Sequence, residues 1–253
     1  MGQHFLVDPN LARSIVADAG VRPGDRVLEV GAGLGSLTIA LADAGAQVLA
    51  VEVDRRTAAA LQDAVSARAG VTVVVADALH LDWETALGGG GWKMVSNLPY
   101  NVAVPVVARL LRSVPPVSDL TVMVQREVGE RLSAGPGDDQ YGAVSVRVAY
   151  HAEARTIRRV PPTVFWPEPN VESVVVRLVR HPPPVATPSE ALFRVVDEGF
   201  AQRRKTMRNA LVRLGLDREV AERALSGCAL DANVRAEQLG MDQFACLAEA
   251  IGG

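Results

Sequence analysis

Arg26-Val27-Leu28-Glu29-Val30-Gly31-Ala32-Gly33-Leu34-Gly35 is the stretch that decides the fold. Its first half is apolar and β-branched around one acid, the composition of a buried strand. Three glycines at alternate positions then allow a tight turn and the close approach of a ligand to the backbone. Leu37–Ala44 continues as an apolar helix. A dinucleotide fingerprint would put its last glycine at position 36, where Ser36 stands. The turn therefore predicts a nucleotide-like cofactor while departing from the nicotinamide pattern.

Outward from this turn the same alternation recurs. Asp8-Pro9-Asn10 opens a capped helix upstream. Downstream, Gln47–Val53, Val71–Ala76, Met94–Asn97 and Leu120–Gln125 read as strands, separated by helices over Thr57–Ala67 and Val102–Arg112 and followed by one over Arg126–Ser133. This early alternation of strand and helix at short spacing requires a parallel, doubly wound sheet with right-handed crossovers. Ala143–Tyr150, Arg155–Val160 and Glu172–Val179 read as three more strands by their β-branched alternation. With no helix between them, they predict an antiparallel edge. The class is α/β, in the order typical of a Rossmann-like methyltransferase sheet. His181-Pro182-Pro183-Pro184 through Pro188 is a stiff break. Helices over Glu190–Gln202, Thr206–Leu214, Arg218–Leu225 and Gln243–Ile251 follow it. The expected domains are 1–181 and a small helical 182–253.

Hydrophobic content of 49% and charged content of 22% suit a folded chain, and no run approaches a membrane span. The N-terminus lacks the layout of a secretory signal. Cys228 and Cys246 read as two isolated buried thiols, neither a disulfide framework nor a zinc site, which predicts a reducing cytoplasm. Histidines show no metal-ligand spacing, so no metal is expected. Net charge of −3 is mildly unfavourable for nucleic acid, but its distribution is uneven. Arg194, Arg203, Arg204, Lys205, Arg208 and Arg213 crowd one short window against Asp197 and Glu198. That helix suits either a phosphate backbone or a plain solvated face.

Three consecutive strands end in the glycine turn, Glu52 and Asp77. Ligands of open α/β sheets bind at that edge. There Glu52 could accept from both ribose hydroxyls and Asp77 from an adenine amino group. Glu29, two residues before Gly31, is the acid typical of S-adenosylmethionine enzymes. This cofactor is favoured well ahead of NAD.

Asn97-Leu98-Pro99-Tyr100 ends the next strand. An exocyclic amine is a weak nucleophile because its lone pair is delocalised into the ring. The Asn97 side-chain oxygen and Leu98 carbonyl, held by Pro99, can accept from the amino hydrogens and aim the lone pair at a methyl donor. Tyr100 can stack on the base. No general base is required, since a methylated ammonium readily loses its proton.

At this point the chain resembles the small-subunit rRNA adenine N6-dimethyltransferases, the KsgA/RsmA family. Gly2-Gln3-His4-Phe5-Leu6, Asn97–Tyr100, Phe165-Trp166-Pro167-Glu168-Pro169-Asn170-Val171-Glu172-Ser173, Phe200–Asn209 and Arg235–Leu239 carry the resemblance along almost the whole chain. It implies S-adenosyl-L-methionine held by His4, Leu6, Gly31, Gly33, Glu52, Asp77, Ala78 and Asn97. It also implies Phe165 as a second partner for a flipped-out base, and Arg203, Arg204, Lys205 and Arg208 as rRNA contacts. The implied activity is methylation of N6 on two adjacent adenosines of 16S-type rRNA within the 30S subunit, by a cytoplasmic monomer that uses no DNA. The alternatives are a 23S-type methyltransferase of the macrolide-resistance kind and a non-catalytic RNA-binding assembly factor. More distant readings are a DNA adenine methyltransferase and a nicotinamide oxidoreductase.

Overall fold

The structure is a computed structural model, and it describes residues 4–202 and 204–252. In chain order the elements are β1 (Phe5–Leu6), α1 (Pro9–Asp18), β2 (Arg26–Val30), α2 (Ser36–Asp43), β3 (Gln47–Glu52), α3 (Arg55–Val65), β4 (Val71–Val75), α4 (Trp83–Leu87), β5 (Trp92–Asn97), α5 (Ala103–Ser113) and β6 (Val117–Gln125). Then come α6 (Arg126–Ser133), α7 (Ala143–His151), β7 (Ala152–Val160), β8 (Phe165–Trp166), β9 (Ser173–Arg180), α8 (Ser189–Ala201), α9 (Met207–Arg213), α10 (Arg218–Gly227) and α11 (Met241–Gly252).

Seven strands form one sheet in the order β4-β3-β2-β5-β6-β9-β7. Strands β2, β3, β4, β5 and β6 pair in parallel, and β9 runs antiparallel to β6. The predicted class and antiparallel edge are therefore present. Leu28, Met94 and Leu120 on neighbouring strands are fully buried, as expected of a sheet covered on both faces. Helix starts follow their caps: Asp8 accepts from the amides of Asn10 and Leu11, and Asp54 from those of Arg56 and Thr57.

The strand order reverses between β2 and β5, and this switch point places the site. From β2 the chain winds outward through β3 to β4, and from β5 in the opposite sense to β6. The crossover helices diverge there and leave a crevice at the carboxyl ends of β2 and β5. The glycine turn follows β2, and Leu98-Pro99-Tyr100 follows Asn97, the last residue of β5.

The chain forms two compact units: residues up to Glu130 with Glu153–Arg180, and Arg131–Ala152 with residues from His181 on. The second has its own core of Leu192, Val195, Val196, Leu211, Leu247 and Phe244. Within it Arg147 makes a two-pronged contact with Asp197 (2.7 and 2.6 Å) and stacks 4.5 Å above the Phe193 ring. The Tyr141 hydroxyl donates to the Leu239 carbonyl at 2.9 Å.

Two expectations are overturned here. Ala143–Tyr150, predicted as a strand, is the helix α7. The alternation of Val144, Val146 and Val148 suits a strand, but Ser145 accepts from the Gly142 amide and donates to the Arg131 carbonyl, fixing a helical start. Packing then outweighs the small β-branched propensity cost. Cys228 and Cys246, predicted as separate thiols, are joined in a disulfide that closes 18 residues. They lie at the end of α10 and within α11, and the packing of those helices brings their Cα atoms to 5.9 Å. The cysteine argument for a reducing compartment falls with this. Among the described residues, no helix is long and apolar enough to cross a membrane, and no cluster of His, Cys, Asp and Glu could hold a metal ion.

Candidate functional site

A cleft opens at the switch point, at the carboxyl ends of β2 and β5. His4, Leu6, Gly31, Gly33, Glu52, Asn97, Leu98, Pro99 and Tyr100 all line it. Nine of the residues singled out from sequence thus meet in one place, although they come from four separate segments.

The glycine turn owes its shape to left-handed backbone at Gly31 and Gly33 (φ +73° and +57°), which side chains disfavour. A Cβ at Gly31 would lie 2.9 Å from Pro99 Cδ, and one at Gly33 would lie 3.2 Å from Phe5 Cδ1. The Gly31 amide is anchored to the Val51 carbonyl at 2.8 Å. Glu52 is buried and closes the turn from the side: one carboxylate oxygen accepts from the Gly33 amide at 2.9 Å, the other from the Asp54 amide at 3.1 Å. Below it Glu29 is only 1% exposed and accepts from the Thr38 hydroxyl at 2.6 Å. Burial pushes its carboxyl up to about 8, the Thr38 hydrogen bond works against this, and the nearby Glu52 adds to it. Glu29 is thus mostly neutral at pH 7.

On the other side, Ser96 is fully buried and accepts from the Val30 amide at 2.9 Å, tying β5 to β2 just below the cleft. The Leu98 amide donates to the Met123 carbonyl at 3.0 Å. The Pro99 carbonyl accepts from the amides of Val102 and Ala103, so the turn runs directly into α5. The Asn97 amide nitrogen points toward the His4 carbonyl, 3.5 Å away, an orientation that leaves Oδ1 as the acceptor. The Tyr100 hydroxyl meets the Ser173 hydroxyl at 3.3 Å, holding the ring upright.

The N-terminal segment forms the roof. β1 pairs antiparallel with β8, Phe5 opposite Trp166 and Leu6 opposite Phe165. The Ser36 hydroxyl donates to the Leu6 carbonyl at 2.5 Å, so the residue that breaks the dinucleotide fingerprint fastens this roof to the glycine turn. His4 Nδ1–H donates to the Pro167 carbonyl at 2.6 Å, and the His4 ring lies 5.4 Å from that of Tyr100. The bond assigns the proton to Nδ1 and leaves Nε2 as an acceptor when the ring is neutral. Ser36 carried no sequence signal beyond its breach of a pattern, and the β1–β8 ladder carried none.

Other predicted residues lie elsewhere. Asp77 and Ala78 do not line the cleft. Asp77 stands just past β4, beside the end of β3, where the Ala76 amide donates to the Glu52 carbonyl. Its carboxylate accepts from the Leu79 amide and pairs with His80 Nδ1 at 2.9 Å, and both hold its pKa below the usual carboxylate range. Phe165, expected to stack on a base, is only 3% exposed and packs in the core of the larger unit. The ladder turns it inward with Leu6, so it offers no face for stacking here. Trp166, its neighbour, is 70% exposed. In the helical unit Arg204 and Lys205 are exposed, Arg208 pairs with Glu222 at 2.9 Å, and Arg203 lies outside the described residues.

The sequence profile of the family described as "Ribosomal RNA adenine dimethylase" matches residues 1–251. A "Ribosomal RNA small subunit methyltransferase A" of Thermobifida fusca is 47% identical over 260 residues, covering 98% of this chain and 88% of the relative. Two solved structures share the fold. A dimethyladenosine transferase from Plasmodium falciparum superposes with a TM-score of 0.81 at 21% identity, covering 96% of each chain. The 23S rRNA methyltransferase ErmE superposes with a TM-score of 0.73 at 25% identity, covering 98% of this chain and 100% of that one.

Proposed function

The chain belongs to the ribosomal RNA adenine dimethylase family, and from that premise we propose that the cleft at the switch point transfers methyl groups from S-adenosylmethionine to adenine N6 of small-subunit rRNA. The observation that supports this most is the contact of two elements that carry different halves of the chemistry. The glycine turn after β2 and the Asn97–Tyr100 turn after β5 meet at Gly31 and Pro99.

The residues present fit the cofactor. Left-handed backbone at Gly31 and Gly33 shapes a turn that lines the cleft, and a buried carboxylate, Glu52, lines it at the end of β3. Gly31, Gly33, Leu6 and His4 would enclose it, and Glu52 would accept from its ribose hydroxyls. Asp77, with Ala78 beside it, is proposed for the adenine end. When bound, the cofactor supplies an activated methyl group on a sulfonium.

The chain's own residues do the rest. The Asn97 Oδ1 and the Leu98 carbonyl accept from the two hydrogens of the target amine, which favours a pyramidal nitrogen with its lone pair exposed. Pro99 and the start of α5 hold these acceptors rigid, and alignment supplies most of the rate. Tyr100 stacks on the base, which must leave its helix to reach the cleft. Arg204 and Lys205 are proposed to dock the RNA backbone. The proposed setting is the 30S particle in the cytoplasm, with two adjacent adenosines modified by a monomer. The large-subunit alternative is weaker, since the 47% relative bears a small-subunit name whereas the 23S enzyme is 25% identical.

The test is tritiated methyl transfer to undermethylated 30S subunits, with 50S subunits and duplex DNA in parallel and the product nucleoside identified by mass. N6,N6-dimethyladenosine on 30S subunits alone is expected. Label on 50S RNA would move the chain to the resistance type, and cofactor binding without transfer would leave an assembly factor.

A further inference from the structure

Trp166 occupies an unusual position for its chemistry. The other two tryptophans, Trp83 and Trp92, are buried, and the Trp92 indole donates to the Leu87 carbonyl at 3.0 Å. Trp166 alone of the three exposes most of its ring. Tryptophan is enriched at contact sites relative to the rest of a protein surface.

Its placement relative to the cleft is fixed by pairing. Residues opposite one another in an antiparallel ladder project to the same face. Trp166 is opposite Phe5, which lines the cleft as its neighbour Leu6 also does, so the ladder borders the site. The other face of the ladder, Leu6 and Phe165, is buried, so the ladder cannot turn over without exposing its core side chains. The Val7 amide extends the ladder by donating to the Val164 carbonyl at 2.9 Å. His4 then links this ladder to the catalytic turn, bonded to Pro167 on one side and lying against Tyr100 on the other. The exposed indole is therefore held on a rigid element continuous with the site.

We propose that Trp166 is a substrate-binding residue that stacks on a nucleobase flanking the target adenosine. This rests on the RNA methyltransferase reading above. Extruding one base unstacks its neighbours, and a free indole face can replace the lost partner. An indole stacks on any base, so the contact adds affinity without selecting sequence.

Steady-state methylation of undermethylated 30S subunits by wild type, Trp166→Ala and Trp166→Phe tests this, alongside cofactor titration and thermal unfolding. Stacking of this kind predicts a KM for 30S subunits raised roughly 5- to 150-fold in Trp166→Ala. The KM for S-adenosylmethionine and the melting temperature should stay unchanged, and Trp166→Phe should recover most of the loss. Unchanged 30S kinetics in Trp166→Ala, with wild type active, would overturn the assignment and leave the methyltransferase reading standing. An effect equal in the KM for cofactor, or failure of Phe to rescue, would also overturn it. A wild-type enzyme inert on 30S subunits would overturn the functional reading, and this assignment with it.

Discussion

Gly31 and Pro99 touch across the switch point: a Cβ built on Gly31 would lie 2.9 Å from Pro99 Cδ. Gly31 also holds a φ of +73°. The glycine turn and the Asn97–Tyr100 turn are thus packed against each other with no space for one further carbon. Their spacing is set by the absence of a side chain.

Gly31→Ala tests this contact. Left-handed backbone costs an L-residue about 1–2 kcal/mol before any clash is counted. Methyl transfer kcat/KM should fall at least about tenfold, because the two turns must separate or the cofactor turn must reshape. Calorimetric titration with S-adenosylmethionine should show weakened binding as well. A variant with wild-type affinity and rate would mean that the contact is slack.

Asn97→Ala separates binding from chemistry. In the proposed mechanism the Asn97 side chain gives an acceptor to the target amine, and in the structure it makes only a long contact to His4, so cofactor affinity should be largely kept. Removing one such pre-organised partner should lower kcat on the order of 10²–10³-fold. Single-turnover transfer beside equilibrium cofactor binding measures both. Normal turnover would remove the amine-activation account.

Glu29 makes stability fall as pH rises. Its folded pKa, about 8, lies above the ordinary value of 4.5. The folded chain therefore keeps a proton that the unfolded chain releases. The resulting stabilisation is complete below about pH 4.5 and is lost as pH climbs through about 8. Glu29→Gln keeps a neutral side chain at every pH, so its urea midpoint, relative to wild type, should rise between pH 5.5 and pH 8. A constant difference across that range would show Glu29 to be charged in the folded protein.

The Cys228–Cys246 bond should staple the helical unit. Closing a loop of 18 residues is worth about 3 kcal/mol through the unfolded state. Cys228→Ser should lower the stability of oxidised protein by about that amount and leave reduced protein nearly unchanged. Thiol titration of unreduced protein in denaturant should find none free. Two titratable thiols would mean that the bond does not form in solution.

The sequence by itself determined the parallel sheet, its glycine turn, the capped helices and the Asn97–Tyr100 turn. These depend on neighbours a few residues apart: runs of β-branched residues, a carboxylate before a helix, a proline after a strand. Local patterning even placed β2 and α6 at the boundaries observed. Tertiary structure alone decided the rest. Alternating valines in Ala143–His151 satisfy strand and helix equally until burial chooses. In Phe165-Trp166 one ring must face inward and the next outward. Which is which depends on register with β1, about 160 residues away along the chain. The disulfide likewise depends on how α10 and α11 pack. A side chain's direction and its distant partner are set by packing between segments, and spacing along one segment does not encode that.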